Sequence, residues 1–167
     1  VQRLFYNIPI NTYFSLDLDG ISALNDSVGG VDVVSPETIG EFVEGESYHL
    51  VGQQAESFVR TRDTSKTDSN NMRMQRQKVY IQSFMNTVLQ QTKKDLTTPI
   101  DLFNASAPYS CTNLNPSKVS YLAQQAVLGG MNGIDMVSVP GQVAMGSKYA
   151  EFNVSEAEFY QLFLSIY

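Results

Sequence analysis

Arginine is the side chain best suited to gripping phosphate, because its planar guanidinium presents a fixed fork of donors to two oxygens at once. Four of the five arginines in this chain, Arg60, Arg62, Arg73 and Arg76, cluster with Lys66 and Lys78 between positions 60 and 78. Counting Asp63 and Asp68, that window carries +4, whereas the 167-residue chain carries −6 and the remainder therefore −10. An acidic remainder repels nucleic acid and anionic membrane faces at long range, so no nucleic-acid partner is expected. The chemistry that fits is local: capture of a small, multiply charged anion.

Spacing supports that chemistry. Phe58-Val59-Arg60-Thr61-Arg62 reads as extended, and side chains two apart on a strand leave the same face. Arg73, Arg76 and Gln77 stand at i, i+3 and i+4 of a helix and share one face of it. The polar loop 63–70 brings the two sets together if it folds the helix start beside the strand end. Arg73 and Arg76 also lie near the positive end of the helix dipole, which disfavours each cation by about 0.3–1 kcal/mol unless an anion binds there. A solvated basic face paired with Asp63, Asp68 and Glu56 explains the same spacing without a ligand.

Other chemistry is scarce. Cys111 is the single cysteine and His49 the single histidine, which leaves no disulfide, no CxxC pair and no ligand set for a zinc site of His and Cys. His49 alternates within Glu46–Val51 like a residue on a short exposed strand. Asp17 and Asp19 are close enough in sequence to share a metal, but they read better as a strand end and a helix N-cap. Gly29-Gly30-Val31 lacks the GK[ST] of a phosphate-binding Walker loop and reads as a helix terminator.

The elements that must position these residues follow from periodicity. Val1–Asn7 reads as the end of a helix and Ile8–Leu18 as a strand, with Pro9 at its start or edge. A short helix over 20–28 follows, capped by Asp19 and ended by Gly29-Gly30, and then a strand at Val31–Val34. Residues 37–51 read as a hairpin or flap, and Gly52–Ser57 as one or two helical turns. A long helix is expected over 71–94, buried along Met72, Val79, Phe84, Val88 and Leu89, and broken at Thr98-Pro99. Residues 99–115 read as loop, and Asn115 or Ser117 as the cap of a helix over 118–128. Strands are expected at Ile134–Val139 and 145–152, and Ser155 with Glu158 forms a capping box for a final helix. Alternating strands and helices predict an α/β domain over residues 1–167, with a mixed central sheet layered between helices.

Several of these segments, in this order, resemble the LytR-CpsA-Psr family. They are Tyr13-Phe14-Ser15-Leu16-Asp17, Leu24-Asn25-Asp26-Ser27-Val28-Gly29-Gly30-Val31-Asp32-Val33, Leu50 through Arg62, Arg73-Met74-Gln75-Arg76-Gln77 and Val139-Pro140-Gly141. The combination of GGVxV, GxQA, RxR and RxxRQ is specific, and it covers the chain as the C-terminal part of the family domain. The resemblance implies a membrane-anchored, extracytoplasmic phosphotransferase of Gram-positive cell envelopes. Such enzymes move a glycopolymer, of teichoic acid or capsular polysaccharide type, from polyprenyl pyrophosphate to peptidoglycan with Mg2+ assisting.

Matched residue by residue, the resemblance implies that Arg60, Arg62, Arg73 and Gln77 hold the pyrophosphate, with Arg76, Asp68 and Asn70 supporting. Many members carry an aspartate where Asn70 stands, and Asp68 lies two residues earlier. The family's N-terminal half, with its membrane anchor and Mg2+-binding aspartates, has no match here. The chain by itself is therefore expected to be inactive, with an incomplete sheet whose exposed edge favours self-association. The other reading of the basic window is a non-enzymatic anion-binding or regulatory module.

Overall fold

The computed structural model describes residues 2–65, 69–146 and 150–166. Its contacts group the chain into two compact units, Thr12–Asp135 and a second that joins Val1–Asn11 to Met136–Tyr167.

The first unit runs β1 (Phe14–Leu16), α1 (Gly20–Ser27), β2 (Val31–Val34), β3 (Ser47–Leu50), α2 (Gln53–Arg60), α3 (Ser69–Lys94), α4 (Thr98–Ser106), β4 (Ser110–Thr112) and α5 (Pro116–Leu128). Its core forms where β2 and β3 pair antiparallel. Val31, Val33 and Leu50 bury one face of this ribbon while Asp32 and Val34 face out, as a two-residue period requires. Phe42 and Phe58 meet edge to face at 5.1 Å, and α2 adds Ala55 and Val59 to the same cluster. Burying a side chain such as Phe58 completely contributes about 1.5–3 kcal/mol. The turn into β2 needs glycine: Gly30 has φ +94°, and a Cβ there would lie 2.4 Å from His49 Nε2.

The second unit holds β5 (Gly141–Met145) paired with β6 (Ala150–Val154), followed by α6 (Glu156–Ile166). The Phe159 amide donates to the Ser155 carbonyl at the start of this helix. Tyr6 packs against the rings of Phe159, Tyr160 and Phe163.

The α/β class is as expected. Among the described residues, however, the strands form three separate antiparallel pairs, β1–β4, β2–β3 and β5–β6, instead of one central sheet. Each strand is short and is hydrogen-bonded along one edge. Residues 2–7 form turns in place of a helix end, with Tyr6 and Asn7 at positive φ. Asp19 makes no side-chain cap to α1. Residues 99–115, expected as loop, contain α4 and β4: Pro99 sits in the first turn of α4, where a missing amide costs nothing. The strand expected at Ile134–Val139 is irregular, and pairing begins at Gly141. Among the described residues no helix is long and apolar enough to cross a membrane.

Candidate anion site

Where the end of α2 meets α3, the arginines make different contacts than the spacing suggests. Phe58–Arg62 is not a strand. Ala55, Phe58 and Val59 lie at i, i+3 and i+4 on a buried face, so burial carries α2 as far as Arg60. Arg60 is its last residue, and its Nη1 lies 2.6 Å from Glu56 Oε1, one turn back, and 3.7 Å from Asp19 Oδ1. Arg62 lies beyond the cap and donates from Nε to Ser69 Oγ at 3.0 Å, at the first residue of α3. The two arginines therefore diverge in partner and in backbone conformation, and the same-face argument drawn from a strand does not apply.

On α3, Arg73 donates from Nη2 to Asn70 Oδ1 at 2.8 Å. Its Nε is buried without a hydrogen-bond partner. Asn70 thus serves as a neutral acceptor, while Asp68 and Lys66 lie outside the described residues. Gln77 donates from Nε2 to the Val59 carbonyl at 3.2 Å, which leaves its second amide hydrogen and its oxygen for other work.

Arg76 is different in kind. It is fully buried, its Nε donates to Glu37 Oε1 at 2.7 Å, and Nη1 and Nη2 donate to the carbonyls of Phe58 and Thr61. Its guanidinium fork is spent inside the protein. Because α3 begins at Ser69, Arg76 lies beyond the first turn, where the helix dipole acts. Its presence is explained by a buried carboxylate and two helix-end carbonyls, not by an anion relieving dipole repulsion. The charge in this window is therefore uneven: Arg76 is neutralised by Glu37, Arg60 is shared by two carboxylates, and Arg62 and Arg73 donate to neutral oxygens. Glu37 escapes sequence reasoning because nothing local links it to a residue 39 positions away.

Beside Gln77 opens a cavity of about 230 Å³ with a predominantly apolar lining. Leu16, Asp17 and Leu18 form one wall, Ile21 and Leu24 of α1 another, and Val59, Tyr80 and Phe84 complete it. A second cavity of about 240 Å³ shares Leu24 and Phe84 with the first and reaches Val88, Leu102 and Val119. Tyr80 donates its hydroxyl to Asn25 Oδ1 at 3.2 Å, and Asn25 in turn donates to the Leu50 carbonyl at 2.7 Å. Burial pushes the Tyr80 phenol well above its ordinary pKa, so it remains a neutral donor. Asp17 lies at the cavity wall and Asp19 at Arg60. Among the described residues there is no group of three or more His, Cys, Asp or Glu side chains that could hold a metal ion.

The sequence model of the LytR_cpsA_psr family matches residues 1–164. The polyisoprenyl-teichoic acid–peptidoglycan teichoic acid transferase TagU of Bacillus cereus ATCC 14579 is 28% identical over 144 residues, covering 82% of this chain and 45% of that protein. TagU of Bacillus anthracis is 39% identical over 62 residues, 35% of this chain and 20% of the relative. The chain thus spans less than half the length of these curated relatives. Among solved structures, TagV of B. subtilis superposes with a TM-score of 0.72 at 20% identity, over 99% of this chain and 65% of the other. That likeness carries the fold.

Proposed function

Since this chain belongs to the LytR_cpsA_psr family, we propose that it carries the carrier-lipid site of a glycopolymer transferase acting on the cell wall, as its TagU relatives are named. In this reading Arg60, Arg62, Arg73 and Gln77 hold the pyrophosphate of a polyprenyl-linked polymer, and the first isoprene units enter the adjoining cavity. The observation that carries the reading is Arg73: its Nε is buried and unpartnered among donors that already lean on neutral oxygens. An arriving pyrophosphate supplies the missing acceptors. Arg60 joins by exchanging Glu56 and Asp19 for phosphate oxygens, a modest cost because exposed ion pairs contribute about 0–1 kcal/mol.

Phosphoryl transfer asks a protein mainly for position and fixed positive charge. The arginines orient the pyrophosphate and stabilise the charge that builds on the leaving group, while the apolar walls keep the lipid in one register. The same reading sets the reaction outside the cytoplasm, at the membrane surface where carrier lipid and peptidoglycan meet. Membrane anchorage and the Mg2+ ligands are not assigned to residues of this chain. The free strand edges are the surfaces on which self-association is proposed, to be measured by light scattering.

The test is binding of a polyprenyl pyrophosphate to wild-type protein and to Arg60→Ala, Arg62→Ala and Arg73→Ala. Losing a charge-assisted hydrogen bond worth about 1.5–3 kcal/mol weakens binding about 10- to 150-fold. Unchanged affinity in all three variants sinks the assignment. Preference for DNA over pyrophosphate at low salt supports the regulatory module instead.

A further inference from the structure

The C-terminal turn of α2 is held by side chains of α3. Helices end with carbonyls that lack intrahelical partners. Here the Phe58 and Thr61 carbonyls accept from Arg76, the Val59 carbonyl from Gln77, and the Ser57 carbonyl from the Thr61 amide. Those carbonyls bracket Arg60 and immediately precede Arg62. The C-terminus of a helix also carries partial negative charge, which repels a phosphate brought up to it. The Arg76 guanidinium sits on that negative end, and Glu37 fixes its orientation at 2.7 Å.

From this geometry we infer that the buried Arg76–Glu37 pair is a positioning device for anion capture: it clamps the end of α2 onto α3 so that Arg60 and Arg62 meet the same ligand as Arg73, without touching that ligand. The inference rests on the pyrophosphate reading above. A lysine cannot replace Arg76, because one ammonium cannot span a carboxylate and two carbonyls with the geometry of a planar fork.

The probes are inorganic pyrophosphate and a short-chain prenyl pyrophosphate, titrated calorimetrically against the full chain at a temperature where circular dichroism shows each variant folded. Arg76→Lys is expected to weaken both about tenfold, the value of one misaligned charge-assisted donor. Glu37→Ala separates positioning from simple charge. Removing a carboxylate makes the region more positive, so electrostatics alone tightens anion binding, whereas loss of the clamp weakens it. Tighter binding by Glu37→Ala, or wild-type affinity in folded Arg76→Lys, overturns the inference while leaving the pyrophosphate reading intact.

A wild-type measurement covers the case in which the variants do not fold. With 15N-labelled arginine, the Nε–H signal of Arg76 is expected to be protected from exchange and nearly unmoved by pyrophosphate, while those of Arg62 and Arg73 shift. An Arg76 signal that shifts as far as theirs makes it a direct ligand and refutes the positioning role. Wild-type protein that binds neither probe removes the pyrophosphate reading and the inference with it.

Discussion

Replacing Arg76 by methionine removes a side chain that is 0% exposed and, among the described residues, the only cation paired with Glu37, whose side chain is 9% exposed. Breaking a buried pair on one side costs about 3–5 kcal/mol, because the surviving charge stays buried without compensation. Glu37→Met strands the guanidinium, so it is expected to cost a similar amount. The double variant removes both charges and leaves two carbonyls that lost their donor. The Phe58 carbonyl is enclosed and orphaned at about 1–3 kcal/mol, whereas Thr61 is an exposed residue whose carbonyl finds water. Arg76→Met/Glu37→Met is therefore expected to be more stable than either single variant. Urea denaturation measures the cycle, and each single variant should melt about 6–20 °C below wild type for a chain of this size. A double variant whose loss equals the sum of the two singles would refute the claim that these groups face each other in a desolvated site.

Three other outcomes concern the β2–β3 ribbon and the helices beside it. Tyr80→Phe deletes one buried donor and is expected to cost about 1 kcal/mol, while Asn25→Ala strands the Tyr80 hydroxyl and removes one donor to the Leu50 carbonyl and costs about 2–3 kcal/mol in urea unfolding. Gly30→Ala meets both a positive φ and contacts of 2.4 Å to His49 Nε2 and 2.9 Å to the Leu50 carbonyl, so a loss of about 1–3 kcal/mol or more is expected by thermal melting. His49 has Asp32 Oδ1 at 2.7 Å from Nδ1 and the Gly29 carbonyl at 3.1 Å from Nε2, an arrangement that the doubly protonated ring satisfies best. The Asp32 hydrogen bond raises its pKa above 6.5, so its stabilisation is complete below the unfolded value and fades as pH rises through the higher folded one. Melting temperature followed from pH 5 to 9 should show that decline in wild type and lose it in His49→Gln.

What the sequence by itself determined is what depends on neighbours along the chain. Gly29-Gly30 terminates α1 at positive φ because only glycine takes that conformation without strain. Asn115 caps α5 through its side chain at 2.9 Å from the Lys118 amide. The periodicity of α3 fixes a long helix, and the ordered arginine motifs carry the family resemblance. Contacts across the chain were decided elsewhere. The extension of α2 through Phe58 and Val59, which overrode an extended reading of the RxR segment, comes from burial against a core that no local window contains. The cavity beside Gln77 exists because β1, α1, α2 and α3 meet there.

The arginine cluster shows the division most clearly. Composition and spacing mark four arginines as equivalent candidates, since a guanidinium looks the same wherever it stands in a sequence. Tertiary structure separates them, because desolvation forces a buried cation to find a partner while an exposed one can exchange its own. Arg76 meets Glu37 and two helix-end carbonyls, Arg60 pairs with Glu56 and Asp19, and Arg62 and Arg73 keep donors turned to neutral oxygens. The sequence determined that this protein concentrates positive charge in one place. Only the packing of α2 on α3 decided which of those charges is buried on a carboxylate and which donate to neutral oxygens.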